Sequence, residues 1–453
     1  MIRSFNAVLE VLKKYGFTRA NLRGWTGTAY DNAAKLDVEL KALDNELAQT
    51  IADIAAQAPA RETLKLCLDR LEQEISREDV KTRLLSTQAA FFLDGWVPAP
   101  DLNQLEALLA NFVCAWETED PKTEEYPTVP IKLKSNALTR PMNMVTEMYS
   151  LPAYDGVDPN PLILPFFVFF FGFMFADLGY GIILTVFSII VRRRAKPKGT
   201  MGYLFGLMTL VGISAAVIGF FTGGFFGDAI ATVAGILGKP TPNVSFLTNP
   251  VFSVVDDPLT VLILCMGIGV VQIITGMAIK AYMLIRDGQA LDALFDVGSW
   301  WVLFAGVPVG VLTGNWTVVW VGVAMLVLTQ GRSSPSIVGK LVGGVASLYN
   351  ITAYFGDVLS YSRLMVMMLA GSVIGSIFNL LGAMPGNLVV FAVIFVIGHV
   401  FNMGLNIIGT YVHTSRLQYL EYFSKFYKEG GRPFRPLELN TKYVDIVKEE
   451  VKS

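Results

Sequence analysis

The chain has 453 residues, of which 53% are hydrophobic and 16% charged, and its formal net charge is −2. Its mean hydropathy of +0.49 excludes an ordinary soluble domain and indicates a polytopic membrane protein. The charged residues are concentrated before about residue 155. We therefore expect a soluble N-terminal region followed by a membrane region, and no nucleic-acid partner.

The soluble region is predicted to lie in the reducing cytosol. Cys67, Cys114 and Cys265 are far apart and lack the spacing of a disulfide framework or a zinc site. The first residues form a polar amphipathic stretch and not the apolar core of a signal peptide. The sequence contains no GxxxxGK[ST] loop and no metal-ligand spacing, so we expect no cofactor and no enzymatic activity of the chain by itself.

Heptad spacing dominates the first part of the chain. We predict a partial lobe over residues 1–30, with a helix over 3–15 and a strand over 17–22. Residues 31–86 carry an apolar seam that is broken at Pro59. The seam consists of Leu36, Leu40, Leu43, Leu47, Ile51, Ile54, Leu64, Leu68, Leu71 and Ile75. It fits a bundle core or an extended coiled-coil arm. We favour the arm, because the chain supplies no compact set of further helices.

Residues 87–155 predict a small α/β lobe at the base of the arm, followed by a proline-rich linker. The pattern predicts strands over 89–97 and 112–117. Between them it predicts a helix that Asp101 would cap and that would run to about Ala110.

We predict about eight membrane crossings in the membrane region, residues 156–430. The apolar run 161–191 is too long for one ordinary crossing and is interrupted near Asp177, so we expect two helices there. The other predicted crossings are 202–224, 258–284, 290–313, 315–330, 337–383 and 387–428. This count places the arginine-rich loop after residue 191, the soluble region and the tail 431–453 on one side, which the positive-inside rule makes cytoplasmic.

The last two apolar segments are unusually long. Residues 337–383 and 387–428 would extend roughly 70 and 63 Å as helices, about twice the thickness of the bilayer core. They must tilt steeply or protrude into the cytoplasm.

A polar stripe runs along one face of the final segment. Its members step by three or four residues and are His399, Asn402, Asn406, Thr410, His413 and Arg416. Hydrogen bonding between helices is one interpretation of such a stripe. We favour an ion path, because a charged arginine within a membrane costs about 2.5–3.5 kcal/mol on insertion scales.

The preceding segment carries a second arginine, Arg363, together with Asp357, Ser360 and Tyr361. A snorkelling arginine at the membrane interface is the alternative, but Arg363 lies near the middle of its segment. Gly371 and Gly375 would let another helix approach closely. Weaker candidates for polar neighbours are Asp177, Asp228, Gln272, Lys280 and Asp296.

Four stretches resemble the a subunit, or subunit I, of V-type and A-type rotary ATPases. They are residues 171–181, which include Asp177-Leu178-Gly179-Tyr180-Gly181, then Gly356-Asp357-Val358-Leu359-Ser360-Tyr361-Ser362-Arg363-Leu364, then 413–427, which begin His413-Thr414-Ser415-Arg416, and the tail 430–437. The two arginine motifs are specific, and the resemblance covers essentially the whole chain.

The resemblance implies a multi-pass stator subunit of a prokaryotic plasma membrane, with eight membrane helices after a two-lobed cytoplasmic arm. Arg363 and Arg416 would face the carboxylates of a rotating proteolipid ring and couple H⁺ or Na⁺ flow to its rotation. The implied further partners are peripheral stalk subunits and a central-stalk adaptor of the ring. Candidates for lining the half-channels are Asp357, Ser360, Tyr361, His399, Asn402, Asn406, Thr410, His413 and Glu421.

The sequence departs from this family in two ways. Only the returning helix of the arm is recognisable, so about half of the family's soluble domain is expected to be absent. Eukaryotic relatives carry a glutamate where Asn406 stands. A secondary transporter or channel whose arginines bind an anionic substrate is the alternative function, although the repeated halves typical of transporters are not found. A membrane tether with structural arginines is a third interpretation.

Overall fold

The computed structural model describes residues 26–240, 250–252, 254–332, 336–436 and 441–444. The described chain is mainly α-helical, as predicted. It divides into two compact units, an arm unit of Met1–Gly95 with Pro436–Ser453, and a membrane unit of Trp96–Arg435. These bounds differ from the predicted ones, since residues 96–155 group with the membrane helices and the end of the tail groups with the arm.

Two long helices form most of the arm unit. Helix α1 is Ala29–Ala56 and helix α2 is Ala60–Thr82. At the start of α1, Thr28 Oγ1 accepts a hydrogen bond from the Asp31 amide (3.2 Å), and the Asp31 carboxylate accepts one from the Thr28 amide (3.4 Å). This reciprocal cap satisfies amides that a helix start leaves unpaired. The helix predicted over 3–15 and the strand over 17–22 lie outside the described residues.

The apolar seam of the arm lies open to solvent. All ten seam residues are between 42% and 67% exposed, and α1 has no buried residue. The interpretation as a bundle core is therefore wrong for the described residues, because a core would bury these side chains. A coiled-coil arm stays a prediction.

The predicted β-α-β lobe is wrong in its strands. Strand β1, Leu85–Ser86, pairs antiparallel with β2, which is limited to Phe91–Phe92. Helix α3, Leu102–Leu109, follows a 3₁₀ turn at Ala99–Asp101, and Asp101 makes no side-chain capping bond. Residues 112–117 form no strand and are exposed, since no neighbouring strand in the described chain offers them a ladder.

A three-stranded sheet joins the segments before and after the apolar helices of the membrane unit. Strands β3 (Pro130–Ile131) and β4 (Leu151–Pro152) flank β5 (Glu429–Pro433), which follows the last helix and runs parallel to β3 and antiparallel to β4. The short helix α4, Asn143–Tyr149, lies between β3 and β4 in the chain. The linker and the start of the tail are thus parts of one structure.

The membrane unit contains the apolar helices. They are α5 Asn160–Phe175, α6 Leu178–Arg194, α7 Gly199–Thr222, α8 Ala229–Ile236, α9 Pro258–Arg286, α10 Ala290–Thr313, α11 Thr317–Thr329, α12 Ile337–Ser347, α13 Asn350–Ser360, α14 Ser362–Ala383 and α15 Leu388–Arg416. By length and composition, five described spans suit a membrane crossing: Gly199–Thr222, Pro258–Arg286, Ala290–Thr313, Val342–Ala383 and Leu388–Lys425. Helices α5 and α11 are shorter and apolar. The chain is therefore a polytopic membrane protein, and the count of eight crossings stays a prediction.

The predicted interruption near Asp177 separates α5 from α6. The Asp177 carboxylate caps α6 by accepting a hydrogen bond from the Tyr180 amide (3.0 Å) and also accepts one from the Gly227 amide (2.9 Å). Gly219 of α7 lies against this turn, where a Cβ atom would come within 2.3 Å of the Leu178 nitrogen. The turn and α7 are therefore packed backbone against backbone.

Candidate polar site in the last two helices

Helices α14 and α15 pack closely where the sequence places small residues. A Cβ atom on Gly371 would lie 3.2 Å from the Asn406 amide group, and one on Gly375 would lie 3.5 Å from Asn402 Nδ2. The two asparagines of the predicted stripe thus face the two glycines. The predicted close approach brings buried amide groups, and not apolar side chains, to this part of the interface.

A continuous set of hydrogen bonds surrounds His399, which is 4% exposed. We call it the histidine network. Tyr180 Oη lies 2.5 Å from His399 Nδ1, and Asn379 Oδ1 lies 2.9 Å from His399 Nε2. Asn379 Nδ2 donates to Asp228 Oδ1 at 2.8 Å, and Asn402 Nδ2 donates to Tyr180 Oη at 2.9 Å. Four elements of the fold therefore meet at one imidazole.

Donor and acceptor counting defines the protonation pattern of this network. The amide nitrogen of Asn379 donates to Asp228 and to the Phe226 carbonyl, so its oxygen is the atom that accepts from His399 Nε2. Nδ1 of His399 can then accept the hydroxyl proton of Tyr180, whose oxygen accepts from Asn402. A neutral imidazole with its proton on Nε2 satisfies every member.

The stripe continues beyond this network with buried atoms that lack partners. Asn406 Nδ2 donates to Asn402 Oδ1 at 2.8 Å. Within the described chain, Thr410 Oγ1 and His413 Nδ1 are buried and make no hydrogen bond. Buried polar atoms without protein partners are ordinarily satisfied by water. The hydrogen bonding of the stripe therefore changes along α15. The polar atoms at His399 all have protein partners, whereas buried polar atoms at Thr410 and His413 have none in the described chain.

Charged side chains meet beyond the end of α15, in what we call the arginine cluster. Arg363 Nη1 lies 3.2 Å from Glu421 Oε1, where the arginine side chain is 26% exposed and the glutamate 4%. Lys425 forms an ion pair with Asp357, and its ammonium group lies 4.3 Å from the centre of the Tyr354 ring. Glu421 Oε2 has no hydrogen-bond partner in the described residues, so the carboxylate keeps a free acceptor.

Three neutral polar side chains lie beside the arginine cluster. The Tyr361 hydroxyl donates to Gln272 Oε1 at 2.7 Å, and Gln272 Nε2 donates to Gln418 Oε1 at 2.8 Å. Tyr361, Gln272 and Gln418 are each 0% exposed. The ring of Tyr361 lies over Gly269, where a Cβ atom would come within 2.3 Å of it. These bonds fix the turn that precedes Arg363 against α9.

A π-helical stretch, Leu417–Tyr422, directly follows Arg416. A π-turn adds one residue per turn and therefore changes which residues face inward. Gln418 and Glu421 are buried within this stretch, whereas Arg416 is exposed. The change of helical phase is what brings Glu421 onto Arg363 while leaving Arg416 on an outer face.

Most of the predicted site residues fall into these groups, whereas Ser360, Thr410, His413 and Arg416 lie outside both, with Thr410 and His413 further along the stripe. Asp357, Tyr361, Arg363 and Glu421 lie in or beside the arginine cluster, and His399, Asn402 and Asn406 in or beside the histidine network. Among the described residues, Ser360 donates only to the Gly356 carbonyl of its own helix, at 3.0 Å. Arg416 is exposed and forms no ion pair within the described residues.

Four contributors were not predicted as site residues: Tyr180, Asn379, Gln418 and Lys425. Asn379 continues the four-residue spacing of Gly371 and Gly375, and that signal could have identified it. Gln418 is inward-facing only because of the π-turn. Of the weaker candidates, Asp228 and Gln272 join the networks, Asp177 caps α6, and Asp296 pairs with Arg332 at 2.7 Å.

An apolar helix bundle that holds an arginine–carboxylate pair and a line of polar side chains defines a polytopic membrane protein with polar groups in its interior. A model of the V-type ATPase 116 kDa subunit family matches residues 33–232. Over this range the chain is similar to that family.

The chain is also similar to relatives of known name. The A-type ATP synthase subunit I of Methanocaldococcus jannaschii is 28% identical over 96% of this chain and 68% of the relative. The subunit of the same name from Pyrococcus abyssi is 28% identical over 95% of this chain and 66% of its own length. The V-type ATP synthase subunit I of Chlamydia pneumoniae is 23% identical over 89% and 69%. The chain thus spans about two thirds of the length of these relatives.

Proposed function

We propose that this chain is the membrane stator subunit of a rotary V/A-type ATPase or ATP synthase, which couples H⁺ or Na⁺ flow to rotation of a proteolipid ring. The observation that carries the proposal is the position of Arg363, partly exposed and held by Glu421 inside an apolar bundle. We place the protein in a prokaryotic plasma membrane, with its arm and C-terminal tail in the cytoplasm.

The residue type suits this function. Arginine stays charged at any working pH, so it cannot relay the proton itself. It can stabilise an ionised carboxylate on a neighbouring ring subunit, since an anion without a partner is costly in a low-dielectric interface. Neutralised ring carboxylates can move through lipid, whereas ionised ones must stop beside an arginine.

Arg416 is the second contact proposed for the ring. It is exposed and has no carboxylate partner among the described residues, in a helix whose other exposed residues are largely apolar. A cation in such surroundings needs an anion from elsewhere. A carboxylate on a ring subunit would supply it, and the two arginines would then act on successive ring positions.

The polar stripe of α15 is the proposed half-channel. Thr410 and His413 carry buried polar atoms without protein partners, which supports hydration there. The saturated network at His399 would close or narrow the route, because each of its donors is already engaged. Ions passing through would gain about 2.3 kcal/mol per charge for each 100 mV of membrane potential.

The arm would connect this membrane unit to further subunits. Its exposed leucine seam would pack against another apolar helix, and peripheral stalk subunits and the central-stalk adaptor of the ring are the proposed partners of the assembled complex. No catalytic role is proposed for the chain alone.

The decisive experiment replaces Arg363 in the assembled complex. Arg363→Ala should abolish ATP-driven ion pumping into proteoliposomes while the ring still co-purifies, and Arg363→Lys should pump poorly because it lacks the planar guanidinium group. Arg193→Ala, at an exposed arginine near the end of α6, is the control and should pump normally. Undiminished coupled pumping by Arg363→Ala, or a purified complex without a proteolipid ring, would refute the proposal.

A further inference from the structure

Helix α2 of the arm buries a single residue, and that residue is an aspartate. Asp69 is 2% exposed, whereas the neighbouring seam residues Leu68 and Leu71 are 42% and 55% exposed. Aspartate is almost never fully buried unless its charge is paired or hydrogen-bonded. Its burial on an otherwise open helix therefore indicates a specific contact.

The contact is with the C-terminal segment, residues 441–444. The Asp69 carboxylate accepts hydrogen bonds from three consecutive backbone amides, those of Lys442 (3.1 Å), Tyr443 (3.0 Å) and Val444 (3.0 Å). Successive amides directed at one anion form a favourable binding geometry. Hydrogen bonds to an ionised group are also roughly twice as strong as neutral ones.

Asp69 lies on a polar face of α2 that is separate from the seam. Lys65 and Gln73, four residues to either side, are half-buried, whereas Leu64 and Ile75 of the seam are 66% and 67% exposed. The C-terminal segment therefore occupies the polar face and leaves the seam open to a partner.

We propose that residues 441–444 are a docking element that binds the arm, with the Asp69 carboxylate as its anchor. The chain then passes between the two compact units twice, between residues 95 and 96 and again between residues 435 and 436. This docking lies within the arm unit and does not depend on the proposed stator function.

Hydrogen–deuterium exchange on the full-length protein in detergent tests the docking. In the wild-type protein the amides of residues 442–444 should be protected. Asp69→Asn should speed their exchange by roughly ten- to a hundredfold, the ratio that corresponds to losing about 1.5–3 kcal/mol of charge-assisted hydrogen bonding. Unprotected amides in the wild-type protein, or equal protection in Asp69→Asn, would overturn the proposal.

Glu72→Gln provides the matched control. Glu72 is an exposed carboxylate on the same helix, three residues from Asp69, and its replacement should leave exchange at 442–444 unchanged. Equal loss of protection in both variants would mean that the net charge of the arm, and not the Asp69 contact, holds the segment, and would also overturn the proposal. The assay needs no ring subunits, so its outcome is independent of the Arg363 experiment.

Discussion

The arm and the membrane bundle expose and bury opposite kinds of side chain. In the arm, leucines and isoleucines lie on the surface, while the one buried residue of α2 is Asp69. In the bundle, the last helix buries two asparagines, a histidine and several hydroxyl groups while valines and isoleucines face outward. Lipid explains the outward apolar residues of the bundle, whereas water cannot stabilise those of the arm.

This difference shows which kind of partner each region requires. Ten exposed seam residues in water need an apolar partner helix, since burying them is favourable. Buried polar atoms and arginines in a membrane need water or an opposite charge. The arm thus lacks an apolar partner for its seam, and the bundle lacks the water or opposite charge that its polar groups need.

The largest expected contrast comes from one substitution made in both regions. Leu207→Ala, at a leucine 2% exposed in α7, should lower the free energy of unfolding by about 2–5 kcal/mol, because it opens a cavity. Leu43→Ala, at a seam leucine 58% exposed, should change it by less than about 0.5 kcal/mol. Denaturant unfolding of the purified chain in detergent measures both. Equal effects would show that the seam is covered in the isolated protein.

Glu421→Ala should have the next largest effect. It removes the ion partner of Arg363, and breaking a buried pair costs about 3–5 kcal/mol. We expect less, about 2 kcal/mol, because Arg363 is 26% exposed. Glu421→Gln keeps an oxygen that can accept the hydrogen bond and should lose less stability, while both variants should impair ion pumping. An unchanged unfolding transition in Glu421→Ala would contradict a structural role of the pair.

Asn379→Leu tests the histidine network. The leucine is similar in size but leaves His399, Asp228 and the Phe226 carbonyl without their amide partner, at about 1–3 kcal/mol for a buried unsatisfied group. Thermal unfolding in detergent should show the loss. Ser372→Ala on the same helix changes a half-buried hydroxyl outside the network and is the control. Equal stability of the two variants would mean that water replaces the asparagine.

The smallest effect is expected at Asp158, before the first membrane helix. Burial raises the pKa of this carboxyl despite a hydrogen bond from the Asn160 amide. The folded state therefore favours the protonated form, and stability is lost as the pH rises through the raised pKa. Asp158→Asn should unfold at a slightly higher temperature than the wild type at pH 8, because the amide has no charge that burial would disfavour. The difference in unfolding temperature between the two proteins should vanish near pH 4. A difference that grows as the pH falls would contradict the prediction.

Periodicity in the sequence predicted the long elements well. The helix break at Asp177, the exposed arginine-rich end of α6, and the shared face of His399, Asn402 and Asn406 follow from local spacing, which a helix translates directly into a common face. The strands predicted over 89–97 and 112–117 failed, because an apolar run becomes a strand only when another strand pairs with it.

The sequence by itself determined that this is a multi-helix membrane protein, that its last helix carries a polar stripe, and that two arginines lie in its last two apolar segments. Only the tertiary structure decided which groups meet. The π-turn after Arg416 rotated Glu421 onto Arg363, and the C-terminal segment buried Asp69. Helical spacing is a local property of a dozen residues, whereas these contacts join positions 58 and about 375 residues apart and depend on how the whole chain packs.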